Sequence, residues 1–177
     1  MEQLRLFVPR REDLWFRQRM MADPITMGYN AGYDVSFSGY HQDTGCIDFP
    51  ETAWADWFGD WIGREPERFF AYLRRESDGA FVGWAHYRWF PPREWWDIGI
   101  LVSAKERGKG CGRMGLRLLL DRAFRVDGVA RLHNGFERSR AAAMKIHREA
   151  GFREIGEEDG VLQLLLTREE YEAGRKA

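Results

Sequence analysis

Residues 106–120 read ERGKGCGRMGLRLLL, with four glycines and four basic side chains leading into an apolar run. Leu116, Leu119, Leu120, Ala123 and Phe124 fall at i, i+3, i+4, i+7 and i+8, the apolar stripe of one helix. Glycines just before a helix leave its backbone bare. Successive N–H groups can then point into one concavity, where the helix dipole favours an anion. Gly110-Cys111-Gly112-Arg113-Met114-Gly115 is also a literal GxGxxG, the short fingerprint of a dinucleotide turn. Three features count against that reading. Ser103 to Lys109 separate the first glycine from the preceding strand, a hairpin rather than a βαβ unit comes before the loop, and the acidic ribose ligand expected about 20 residues on would have to be Asp127 or Glu137. A Walker loop fails because no Gly-Lys-Ser/Thr follows. What remains is Arg107, Gly110 and Gly112 as an R-x-x-G-x-G pyrophosphate cradle, with Lys109 and Arg113 adding charge.

Working outward, Trp96 to Val102 reads as a strand. Its apolar end, broken only by Gly99, suits burial on both faces. Before it, Arg68 to Arg75 and Ala80 to Phe90 form a hairpin turning at Ser77-Asp78-Gly79. After the loop helix come a strand, Val129 to Phe136, and a helix, Arg140 to Ala150, with Ser139 as N-cap and Gly151 as terminator. Phe152 to Gly156 and Val161 to Thr167 close the chain as a strand pair. On the N-terminal side, Leu4 to Val8 is a strand and Arg11 to Met21 a helix. Met27 to Pro50 is a long loop, and Glu51 to Ile62 is a helix carrying Trp54, Trp57, Phe58 and Trp61 on one face. The order βααβββαβαββ predicts a mixed α/β (α+β) layer fold.

The 177 residues suit one domain, and 44% apolar with 31% charged composition reads as globular. A net charge of -1 gives no whole-chain field for nucleic acid or an anionic membrane. No apolar run approaches the roughly 18 residues of a membrane span, and MEQLRLFVPRRED lacks the apolar core of a signal peptide. Cys46 and Cys111 lie far apart without metal-ligand spacing. They read as two reduced thiols in a cytoplasmic protein with no metal site.

The cradle and its surroundings resemble the GNAT superfamily of N-acetyltransferases, whose signature R/Q-x-x-G-x-G/A follows a buried strand and opens a helix. Asp97-Ile98-Gly99-Ile100-Leu101-Val102 is similar to the family's fourth strand. Ala143, His147 and Gly151-Phe152 fall on its A-x-x-x-Y-x-x-x-G-F pattern. His147 stands where the family has Tyr, and Arg140 stands where it has Asn. The likeness runs from about Phe69 to Leu166 and implies a single domain, 1–177, with a mostly antiparallel sheet of about six to seven strands and about four helices. Residues 1–66 would form the acceptor side, 67–167 the acetyl-CoA-binding core and 168–177 a C-terminal tail.

The resemblance implies acetyl-CoA as cosubstrate, bound by Arg107, Gly108, Lys109, Gly110, Cys111, Gly112 and Arg113. Ser139, Arg140 and Ala143 would add contacts from the following helix. The backbone of Leu101 and Val102 would pair with the cofactor arm and polarise the thioester carbonyl, and Gly99 would permit an irregularity that splays the sheet. Transfer to an amine also requires a base and an acid. Asp97 is the first candidate base, with Glu94 and His133 as backups, and His147 is the candidate acid. In the long loop, Tyr29, Tyr33, Asp34 and Tyr40, with Phe37, His41, Asp43 and Asp48, offer aromatic faces and carboxylates to an amine acceptor. The expected partner is therefore a small-molecule or peptide amine, with no nucleic acid and no membrane. A homodimer could use exposed parts of the Trp54/Trp57/Trp61 face. Two rivals stay open, a CoA-binding module without chemistry and an RNA-binding α/β module, although RGKGCG lacks the aromatics of an RNP1 pattern.

Overall fold

Runs such as FFAYL in 69–73 put large apolar side chains at odd and even positions alike, so a strand built from them must be covered on both faces. The computed structural model, which describes residues 3–175, does this. Seven strands, β1 (Leu4–Phe7), β2 (Arg68–Arg75), β3 (Phe81–Phe90), β4 (Trp95–Val102), β5 (Arg131–Glu137), β6 (Arg153–Glu158) and β7 (Val161–Thr167), form one sheet in the order β1-β2-β3-β4-β5-β7-β6. Every pairing is antiparallel except β4 with β5.

Around the sheet lie α1 (Trp15–Met21), α2 (Pro24–Met27), α3 (Trp54–Trp61), α4 (Cys111–Asp121), α5 (Ala141–Glu149) and α6 (Arg168–Gly174). Alternate residues of β2 feed two cores. Phe69, Ala71 and Leu73 join Leu116, Leu119 and Leu120 of α4 and Met144 of α5. Phe70 and Tyr72 join Phe16 and Met20 of α1, Trp84 and Leu101, with Trp54, Trp57 and Trp61 of α3 packed against them. The tryptophan face of α3 therefore packs on the sheet, with Trp54, Trp57 and Trp61 each still partly exposed. Gly115 lets α4 approach this closely, since a Cβ there would stand 2.6 Å from Leu73 Cδ1.

Three details differ from the sequence reading. Residues 168–174, inside the expected tail, form α6, capped by reciprocal bonds between Thr167 and Glu170 and holding Tyr171 in the core. The N-cap of α5 is Arg140 rather than Ser139, and no side chain caps it. Gly99 introduces no irregularity, because β3 and β4 keep one register from Gly83↔Val102 to Phe90↔Trp95. Its missing Cβ makes room for His86, whose Cε1 would lie 2.3 Å from it.

No helix among the described residues is long and apolar enough to cross a membrane. Cys46 and Cys111 are both buried and unpaired with each other.

Candidate active site

β4 and β5 pair only at Trp96↔Leu132 and Asp97↔His133. Beyond that point Gly99 to Val102 have no partner in β5, and the sheet opens. The cleft is thus made by ending a parallel ladder early, with the backbone of Leu101 and Val102 along one side.

The glycine loop stands at the end of β4. Gly108 and Gly110 take left-handed φ values of 78° and 85°, a region costly for residues with a Cβ. Gly110 is the N-cap of α4 and no side chain caps it. The first intrahelical bond runs from Met114 N–H to the Gly110 carbonyl (3.1 Å), so the earlier N–H groups of that turn have no use inside the helix. Gly112 needs neither unusual φ nor space, since the nearest atoms to a Cβ would be Ile146 Cδ1 at 3.6 Å and Val102 Cγ2 at 4.0 Å. A bare backbone with donors at a helix N-terminus fits a pyrophosphate.

The charged side chains of the loop are occupied within the protein. Arg107 donates to the carbonyls of Ile25 (3.2 Å) and Thr26 (2.6 Å), and the Thr26 hydroxyl accepts from Ala104 N–H (3.0 Å). These bonds tie α2, and with it the start of the long 27–50 loop, to the glycine loop. Lys109 pairs with Glu106 (3.0 Å), and Arg113 with Glu149 (2.7 Å). Burial of Glu106 opposes its ionisation, but hydrogen bonds from Lys109 and Arg75 outweigh it and hold the carboxyl below its usual range. The uncommitted donors of the loop are therefore chiefly backbone N–H groups.

His147 projects from α5 between Phe136 and Phe152, 3% exposed. Its Nδ1 lies 2.8 Å from the Ala143 carbonyl and its Nε2 2.9 Å from Asn134 Nδ2. One nitrogen donates and the other accepts, the pattern of a neutral imidazole. Burial pushes its pKa down to about 4, with the bond to Ala143 opposing and Arg140 assisting. In this arrangement His147 has no N–H to spare for a leaving group.

Asp97 and His133 meet where the strands part, with Asp97 Oδ1 2.8 Å from His133 Nδ1. Gln163 donates to the Val161 carbonyl (3.0 Å), which turns its oxygen toward His133 Nε2 (2.8 Å). Both ring nitrogens of His133 are thus engaged by neighbouring side chains. Trp95 stacks on the ring at 4.0 Å. Glu94 lies apart, bound to Arg131 (3.4 Å).

Tyr29, Tyr33, Ser139 and Arg140, assigned from sequence to acceptor and cofactor, line one cavity of about 390 Å³ with Ala31, Gly32 and Glu137. Arg140 lies over the Tyr29 ring at 4.8 Å, and Tyr33 donates to Glu137. Burial raises the Tyr29 pKa against the opposing pull of Arg140, Arg17 and Arg107. Tyr40 instead fastens its own loop, donating to the Asn30 carbonyl (2.7 Å). Asp34 is exposed and is not among the residues lining this cavity.

Two residues on the α1 and α3 side of the sheet escaped sequence reasoning. His86 sits over Gly99 beside Trp61 (5.3 Å), and burial takes its pKa down to about 3, with Arg17 and Arg88 assisting and Asp97 opposing. Arg17 lies among four aromatic rings. An arginine on the helix row that carries Leu14 and Met21 was the available signal.

A mixed sheet whose one parallel pair opens beside a glycine-rich helix N-terminus is the layout these elements build. The sequence places this chain in a known family. Residues 35–152 match the model of the Acetyltransferase (GNAT) family, and the chain belongs to that family. A comparison with curated proteins finds no match. Among solved structures, the spermidine N-acetyltransferase of Vibrio cholerae in complex with CoA and spermine superposes with a TM-score of 0.72 at 15% identity, over 96% of this chain and 98% of that one. Mutant forms of the spermidine/spermine N-acetyltransferase SpeG from the same organism give 0.71 at 16% identity, covering 99% and 100%. Apo FdhC, a nucleotide-linked sugar GNAT, gives 0.68 at 16% identity, covering 99% and 91%. At these identities the likeness is one of fold.

Proposed function

We propose that the protein moves the acetyl group of acetyl-CoA to the primary amine of a small molecule or peptide by direct attack on the thioester. The observation that carries this reading is the early end of the β4–β5 ladder beside the backbone cradle of α4. Acetyl-CoA supplies an activated acyl group. The N–H groups at the start of α4 would hold its pyrophosphate, and the Val102 N–H would polarise the carbonyl.

An amine arrives mostly protonated. Asp97 remains the proposed base, oriented by His133. Leu101 lies four residues further along the strand, about 13 Å at roughly 3.3 Å per residue, so the proton would travel through water. The occupied nitrogens of His147 argue for a positioning role, in which the ring holds Asn134 and the start of α5. Tyr29, Tyr33 and Arg140 would line the acceptor cavity. The buried thiols of Cys46 and Cys111, not joined in a disulfide, suit a cytoplasmic setting.

His147 without a free N–H also favours a second reading, a CoA-binding module without chemistry. Thiol release from acetyl-CoA across an amine panel separates the two. Amine-dependent thiol release supports the transferase, and acetyl-CoA binding without thiol release supports the module.

A further inference from the structure

Arg17 of α1 is a half-buried cation whose guanidinium lies among aromatic rings with no anion beside it. Its Cζ lies 5.0 Å from the ring centre of Phe49, 4.6 Å from Trp57, 5.7 Å from Phe70 and 5.2 Å from Trp84. Among the described residues no carboxylate stands within ion-pair distance of it. Arg75, Arg113 and Arg122, by contrast, each have one. Its Nε is sealed from solvent with no hydrogen-bond partner, while the residue as a whole keeps some accessible surface. Burial draws its pKa down to about 10, which registers how poorly the charge is compensated.

Aromatic faces attract a guanidinium, by about 2 kcal/mol when desolvated. Withdrawing part of an unpaired charge from water opposes that gain. A residue there for packing alone would sit better as Met or Leu.

Two further buried ring nitrogens without partners adjoin the same rings. Trp54 Nε1 belongs to a ring stacked on Phe49 at 6.4 Å, and His86 Nδ1 to a ring stacked on Phe70 at 6.3 Å. The neighbouring charges reinforce the pattern. Arg140 and Arg107 act with Arg17 on Tyr29, whereas Glu137 is taken up by Tyr33 and Asp97 by His133. This face offers donors and positive charge, and it is the face on which Leu101 borders the cleft.

We propose that Arg17 anchors the acceptor through a carboxylate, so that the substrate is an amino-acid-like amine whose carboxylate pairs with the guanidinium inside the Phe49–Trp57–Phe70–Trp84 box. A planar guanidinium matches a carboxylate bidentately. A polyamine would bring ammonium groups against Arg17. The inference rests on the amine-acetyltransferase reading and adds the substrate class to it.

The test pairs each L-amino acid with its decarboxylated amine, with spermidine alongside, on the wild-type chain and on Arg17→Met and Arg17→Lys. Thermal shift is measured without acetyl-CoA, and thiol release with it at saturation. At least one amino acid should raise the wild-type Tm more than its amine does and should exceed that amine in kcat/KM by about 10- to 100-fold, the worth of a charged hydrogen bond. Arg17→Met should erase both differences while binding acetyl-CoA as the wild type does. Arg17→Lys, which keeps the charge but loses the bidentate fork, should reduce the preference without erasing it, and an undiminished preference there would overturn the proposal even if the Met variant does not fold. Amines or spermidine matching every amino acid would overturn the proposal, as would a preference that survives loss of Arg17. Failure of acetyl-CoA to bind would remove the transferase reading separately, because the thermal-shift comparison does not involve it.

Discussion

Replacing His147 by Phe keeps a ring between Phe136 and Phe152 but removes the bonds to Asn134 and Ala143 and the titration. Losing two neutral hydrogen bonds costs about 1–3 kcal/mol, or roughly 2–12 °C in Tm for a chain of this size. The pH dependence is more specific. Above pH 6.5 the ring is neutral in both folded and unfolded chains and makes no difference between them. Below 6.5 the unfolded chain takes up a proton that the folded chain refuses until about pH 4. The wild type should therefore lose stability as pH falls through that window, at about 1.4 kcal/mol per pH unit from this ring alone. Between pH 6.5 and 4.5 the wild type should lose about 2 kcal/mol more than His147→Phe does. Urea unfolding at a series of pH values reads the difference between the two slopes. With His147 a positioning residue, turnover of the variant at pH 7.5 should stay within about threefold of wild type, far from the 10²- to 10⁴-fold typical of a general acid. Equal slopes would refute the buried neutral imidazole, and a hundredfold loss of turnover in a folded variant would restore His147 as the acid.

Arg107→Met should lower Tm and raise the acceptor KM by freeing α2, while shifting the acetyl-CoA Kd by less than about threefold. A loss of acetyl-CoA affinity equal to a charged hydrogen bond, about tenfold or more, would show that the guanidinium binds phosphate directly. Asp97→Asn should depress kcat/KM near pH 7 by about 10²-fold or more, and the deficit should shrink toward pH 10 as the amine loses its proton to solvent. A small deficit independent of pH would remove Asp97 as the base.

The strands were legible because β2 to β4 and β7 carry apolar residues on both faces, and the turns between them carry Asp78-Gly79 and Asp159-Gly160. The cradle was legible because glycine spacing at a helix start has few uses. Helix α6 was not, since Arg168-Glu169-Glu170 reads as a polar tail until Thr167 and Glu170 are seen to cap each other. Gly99 was misassigned because a missing Cβ looks the same in sequence whether it permits a bulge or admits a neighbouring ring. Arg107 and Lys109 showed their charge in the sequence but not their partners, which lie in α2 and at Glu106. Arg17 and His86 escaped because lone polar residues among aromatics show their isolation only when the rings of four separate segments close around them.

The most direct measurement is a calorimetric titration of the protein with acetyl-CoA, with NAD as a parallel control. Saturable binding of one acetyl-CoA per chain and none of NAD is the predicted result. No acetyl-CoA binding, or equal binding of NAD, would contradict the assignment of the 106–120 loop as a CoA pyrophosphate cradle.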